Sequence, residues 1–136
     1  MRIVLDTNVV VSGLWTPFGP PGEIVNRVAA GKLPLCLDER IFGEYREVLA
    51  RRRLAFDPER VGALLAQIEA TGEFVLAPRI PVRLPDSDDE AFLEVAVAAG
   101  ADFLVTGNLR DFPASLRQGI AVVSPRQFLE SLRPRS

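Results

Sequence analysis

Apolar residues along this chain fall into two patterns. Short continuous runs occur at Ile3-Val4-Leu5, Leu33 to Leu37, Phe74-Val75-Leu76, Phe103-Leu104-Val105 and Ile120 to Val123. Continuous rather than alternating apolarity suits strands covered on both faces, with Pro34 weakening the second run. Between the runs, apolar residues recur at helical spacing. Ile24, Val25 and Val28 predict a helix over Glu23 to Ala30, closed by Gly31. Asp38 caps a second helix with Ile41, Phe42, Tyr45, Val48 and Leu49 on one stripe, ended by Arg51-Arg52-Arg53. Asp57-Pro58 opens a third, with Val61, Leu64, Leu65 and Ile68 on one side and Gly72 after its end.

Pro78, Pro81 and Pro85 then break the chain before Ser87 and Glu90, which have capping-box spacing and predict a helix start. That helix turns Phe92, Leu93, Val95 and Ala96 inward and stops at Gly100, while Ser124-Pro125 with Gln127 begins the last one. Asp6 with Thr7 and Asn8 can form an Asx-type turn at the strand end, and a proline-rich loop spans Thr16 to Pro21. Alternating strands and helices predict an α/β fold, a three-layer α/β/α sandwich with a mostly parallel central sheet, in one domain over residues 1–136.

Composition narrows the function. The N-terminal residues lack the pattern of a signal peptide and no apolar run is long enough to cross a bilayer, so the expectation is a cytoplasmic protein without a membrane partner. Net charge is −2, which leaves any polyanion binding to local arginine patches. There is no histidine and one cysteine, Cys36, inside the apolar Leu35-Cys36-Leu37, which reads as a buried thiol. Serine and cysteine triads therefore lack their imidazole, zinc lacks its usual ligands, and no glycine-rich phosphate loop is present.

Oxygen donors remain. In an open parallel sheet, functional groups gather beyond the carboxyl ends of the strands. Asp6 lies at such an end; Thr106, Asn108 and Asp111 follow the Phe103 to Val105 strand, and Asp89 lies in the first turn of the preceding helix. Glu44 falls one turn from both Ile41 and Val48, at the edge of the apolar stripe, whereas Glu47 points away. Clustered carboxylates suit magnesium or manganese, and phosphodiester hydrolysis is the chemistry that needs such a site. Each acid also has a plain structural reading: an Asx turn for Asp6, a favourable helix start for Asp88, Asp89 and Glu90, an exposed face for Glu44.

Taken in order, these blocks resemble the PIN-domain family over essentially the whole chain. Ile3 to Val9 is similar to its opening strand and first acid, Glu44 to Leu49 to the block with the second acid, Asp86 to Leu93 to the third, and Ala101 to Phe112 to the last. The closest likeness is to the toxin-type proteins of the VapC group. It implies a magnesium- or manganese-dependent endoribonuclease acting on RNA, held as a homodimer and inhibited by a cognate antitoxin protein when it is the toxin of a toxin-antitoxin pair. The implied metal and catalytic residues are Asp6, Glu44 and Asp89, with Asp88 or Asp86 as substitutes for Asp89. Many relatives carry an aspartate at the position of Asn108. That leaves open whether Asn108 binds metal, orients a water, or cedes the role to Asp111, here favoured as a supporting group outside the ligand set. Thr106 and Asn108 would organise the rim, and Thr7 or Asn8 would steady the loop after Asp6.

Arginine supplies fifteen of the sixteen cations. Arg46 and Arg51, Arg52 and Arg53 are the RNA-backbone candidates, since the pattern puts them on the helix of Glu44. Trp15 and Phe18 are candidates for base stacking or, ranked first on sequence, for contact with a dimer mate or partner. Two other functions compete. A catalytically inactive scaffold or partner-binding domain on the same fold is favoured by Asn108 and disfavoured by retention of three acids. A receiver-type phosphoacceptor needs a lysine late in the chain, and the sole lysine is Lys32.

Overall fold

A computed structural model describes residues 1–133. It contains β1 (Ile3–Leu5), α1 (Thr7–Trp15), α2 (Pro20–Ala29), β2 (Cys36–Leu37), α3 (Glu39–Leu49), α4 (Pro58–Thr71), β3 (Glu73–Phe74), α5 (Glu90–Ala99), β4 (Phe103–Val105), β5 (Val122–Val123) and α6 (Pro125–Ser131), with short 3-10 turns at Arg52–Leu54, Ser87–Asp89, Leu109–Asp111 and Ala114–Leu116.

All strand pairings are parallel: β1 with β4, β4 with β5, and β2 with β3. A single parallel bridge from Ile3 to Leu35 joins the two sets, giving the order β3-β2-β1-β4-β5. The order turns around between β1 and β4, the place where an open parallel sheet leaves a crevice beyond its carboxyl ends. Ile3, Val4, Leu5, Leu104 and Val105 are fully buried, as two-sided coverage of their continuous runs requires. Helices α1, α2, α3, α4 and α6 pack among themselves, and α5 lies against β1, β2 and β4. The α/β sandwich expected from the alternating pattern is the fold observed.

The run Phe74 to Leu76 is not a strand covered on both faces: β3 is Glu73–Phe74 at the sheet edge, both residues exposed, and Leu76 is 96% exposed. Helix α2 begins at Pro20, inside the expected loop, because a proline is at home in a first helical turn. Three further local differences appear. The segment after Asp6, to which the apolar pattern assigns no element, is helical, and Trp15 closes that helix. Its stability comes from packing: a Cβ on Gly13 would stand 2.4 Å from Val25 Cγ2, and one on Gly22 would stand 2.4 Å from the Pro17 backbone. Gly13 thus lets α1 and α2 cross at close range, and Gly22 lets the connecting loop fold onto α2. The second change is at α5. Ser87 and Glu90 form no capping box; Asp86 instead accepts from the Asp88 amide at 2.9 Å, and α5 begins only at Glu90. The Glu90 carboxylate instead accepts from the buried Leu84 amide at 3.0 Å, in the strap between Ala77 and Pro85. The third is at the end of α3, which stops at Leu49, so Arg51, Arg52 and Arg53 lie beyond it. At α6 the predicted box does form, between Ser124 and Gln127.

The strap is clamped a second time. Glu94, one turn along α5 and 3% exposed, accepts from the Ile80 amide at 3.2 Å and from Arg40 Nη1 at 2.8 Å. Arg40 also pairs with Asp38, whose other oxygen caps α3 through the Ile41 amide. One guanidinium therefore ties the start of α3 to α5 and to the strap.

Candidate metal centre

Residues that leave β1 and β4 arrive side by side. Asp6 donates its amide to the Val105 carbonyl at 2.9 Å, and Thr106, the next residue of the neighbouring strand, donates its hydroxyl to Asp6 Oδ2 at 2.9 Å. Asp6 is only 4% exposed and Thr106 is fully buried. Burial in apolar surroundings raises the Asp6 carboxyl to about 6, partly offset by the Thr106 hydroxyl and the Asn8 amide and reinforced by Glu44 and Asp111. Asp6 also precedes the first turn of α1, where the helix dipole favours negative charge.

Glu44 approaches from α3. It is half-buried at the edge of the apolar stripe, and its carboxylate accepts the hydroxyl of Thr7. Asp89 closes the 3-10 turn before α5. Its carboxyl is raised to about 7, first by burial and then by the charges of Asp6, Asp111, Asp86 and Glu44. Its Oδ2 is buried and has no hydrogen-bond partner among the described residues. Asp88 is exposed and lines a groove with Arg40 and Arg79, while Asp86 spends an oxygen on the Asp88 amide. Glu44 lines the same groove as Asp88, and the charges of Asp6 and Glu44 both act on Asp89.

The remaining candidates form the rim. Asn8 Oδ1 accepts from the Gly107 amide at 3.0 Å, so it steadies the loop after β4 rather than the residues after Asp6. The Asn108 amide donates to Thr106 Oγ1 at 3.1 Å and its Nδ2 to Asp111 Oδ2 at 3.1 Å, which fixes Asp111 beside the cluster. Tyr45 is a supporting residue that its place in the apolar stripe conceals. It is fully buried and donates its hydroxyl to the Leu5 carbonyl at 2.5 Å, anchoring the end of β1 one residue before Asp6. A buried phenol must find an acceptor, and that requirement was the available signal. Burial, with Asp6 and Glu44 nearby, pushes the Tyr45 hydroxyl well above its ordinary range.

Among the described residues, no group of three or more histidine, cysteine, aspartate or glutamate side chains is placed so that it could hold a metal ion. Asp6, Glu44 and Asp89 feel one another's charge. A divalent cation fits the space by chemistry: every donor is a hard oxygen, one of them buried without a partner, and the two raised carboxyls are those that a positive charge would ionise.

The arginine candidates divide. Arg46 is two residues from Glu44, hence on the opposite flank of α3, where its guanidinium lies 5.2 Å over the Phe42 ring. Arg51 pairs with Glu47 at 2.9 Å, and Arg52 and Arg53 stand exposed in the following turn. Cys36 is buried, its thiol 3.8 Å from Glu73 and raised to about 11 by burial and that acid, so it stays protonated and unreactive. No helix among the described residues is long and apolar enough to cross a membrane.

A family model described as a PIN domain matches residues 2–110, which include Asp6, Glu44, Asp89 and Asn108 but neither Asp111 nor β5. No curated protein matches the chain.

Proposed function

The chain belongs to the PIN-domain family, and from that premise we propose that it is an endoribonuclease whose magnesium or manganese ion is held by Asp6, Glu44 and Asp89. PIN domains are generally nucleases. The observation that carries the finer reading is Asp89 Oδ2, a buried oxygen without a partner on a carboxyl that feels the charges of Asp6 and Glu44. A scaffold gains nothing from keeping such an oxygen desolvated and unsatisfied.

The ion, when bound, neutralises charge on the transferring phosphoryl group and acidifies a water for attack on phosphorus. Asp6 is the rigid ligand, its rotamer locked by Thr106 and its backbone by β4. Asp89 is the ligand with most to gain, since its free oxygen has no other partner. Glu44, aimed by the Thr7 hydroxyl, holds the ion or accepts the proton of the attacking water. Asp111, oriented by Asn108, stands behind them as a water-positioning group. The reading extends to the toxin half of a toxin-antitoxin pair, a cytoplasmic homodimer under the control of an antitoxin protein; the likeness of the four motif blocks to that group supports it, and Phe18, 96% exposed, offers apolar surface to a partner.

Incubation of the purified protein with cellular RNA tests the activity. Manganese should produce cleavage that a chelator stops, and Asp6→Asn and Glu44→Gln should each slow it by about a hundredfold or more. Cleavage that persists with chelator or in either variant contradicts the assignment. Intact RNA under every condition, with the protein folded, favours the non-catalytic partner-binding domain.

A further inference from the structure

The acids stand at one end of a surface seam, and two contacts fix its course. At the near end Thr7, first residue of α1, donates its hydroxyl to Glu44 of α3. At the far end Trp15, last residue of α1, meets Phe56 edge-on, the ring centroids 5.9 Å apart and the planes at 84°. Helix α1 therefore runs beside α3 and the turn that follows it, and Thr7 to Trp15 spans about 12 Å at the rise of an α-helix. On α3 itself, Glu44 and Val48 lie four residues apart on one face, and the helix ends one residue later at Leu49, just before the arginine-bearing turn.

The chain then turns through Arg52–Leu54, and Ala55 takes a left-handed conformation, φ 52°, that brings Phe56 back against Trp15. The result is an indole 60% exposed, with one edge braced by Phe56, which follows the exposed Arg52 and Arg53 by four and three residues. Arg51 is engaged by Glu47, but Arg52 and Arg53 have no carboxylate partner among the described residues.

We propose that this seam holds the single-stranded RNA that flanks the cleaved bond, with a base stacked on Trp15 and phosphates on Arg52 and Arg53. The proposal rests on the ribonuclease reading and adds a substrate-binding track to it. Unpaired cations around one braced aromatic face suit a strand whose charge lies on its backbone and whose bases stack without regard to sequence. The core of a protein interface is instead depleted of charge. A base must be unpaired to reach an indole, which selects single strand over duplex. With a net charge of −2 the molecule has no bulk attraction for RNA, so a local patch must supply it.

Fluorescence anisotropy of a labelled oligouridylate of about 12 nucleotides, in a Glu44→Gln background that keeps the strand whole, tests this. Joint replacement Arg52→Ala and Arg53→Ala should weaken binding about tenfold and lower the salt slope by about 1.4, the value for two single-strand phosphates. Trp15→Ala should weaken it about tenfold, and Trp15→Phe should restore most of the loss. If the background protein binds the oligomer and all these variants bind it equally well, the seam is not the track; a change in sedimentation of the same variants would then mark the patch as a protein interface. If the unsubstituted protein also fails to bind manganese by calorimetry and the background protein fails to bind RNA, the nuclease reading falls and the track with it.

Discussion

Asp6 and Asp89 sit where ionisation is costly, and that cost has a sign that stability measurements can read. Both carboxyls are raised from 3.8, to about 6 and about 7 respectively, in the metal-free protein. A raised carboxyl contributes stability that is fully present below its unfolded value and is lost as pH rises through the folded one. The metal-free protein should therefore melt several degrees higher near pH 5 than near pH 8, with a difference on the order of 2 kcal/mol at the nearly buried Asp6. Asp6→Asn removes that charge while retaining an oxygen for Thr106, so it should raise the melting temperature near pH 8 and flatten the profile; manganese should stabilise the parent near pH 8 more than it stabilises the variant. A profile unaffected by Asp6→Asn would mean that the strained charge lies elsewhere. At this scale Asp6 and Glu44 are legible in sequence because each occupies an unusual place in a pattern, a strand end and a stripe edge. Arg46 misleads for a related reason: sharing a helix with Glu44 is visible in the sequence, but a two-residue offset turns it to the other flank. The clamp residues Arg40 and Glu94 give no such signal, because their partners are backbone and side-chain groups many residues away.

The helix that carries the site's first turn, α1, is hidden for a physical reason. Val9, Val10 and Val11 are β-branched and Gly13 interrupts the run, so local preference opposes a helix. Packing against α2 overrides that preference, and Gly13 is what permits it. Gly13→Ala has a better helix former at that position, yet its Cβ would meet Val25 Cγ2 at 2.4 Å and the Pro21 carbonyl at 2.6 Å. Denaturant unfolding should show a loss of about 1–3 kcal/mol, whereas a gain in stability would show that the crossing is looser than described. The strap before Asp89 makes a parallel case. Glu94→Ala leaves the buried Ile80 amide without an acceptor and should cost about 3 kcal/mol, while Glu94→Gln keeps a carbonyl there and should cost about half as much. Equal losses from both variants would assign the clamp's strength to the Arg40 ion pair instead. The alternation of runs and stripes made the strands and most helices legible; the strap's two carboxylate clamps depend on tertiary contact and were not.

At the scale of the molecule, the order β3-β2-β1-β4-β5 explains why acids spread from position 6 to position 111 lie around one crevice. β1 and β4 are neighbours at the reversal, so Asp6 and Thr106 leave the sheet together; α3 brings Glu44 against Thr7 and α5 brings Asp89 alongside. Parallel pairing follows from the continuous apolar runs, but the adjacency of first and fourth strands does not, and that adjacency makes the site. The central claim is that these carboxylates bind a divalent cation as a unit. Calorimetric titration of manganese into metal-stripped protein near neutral pH, beside Asp6→Asn and Asp89→Asn, tests it most directly. Saturable binding by the parent, weakened by about tenfold or more in each variant with the fold intact, is the predicted result. No binding by the parent, or binding untouched by both substitutions, would contradict the account.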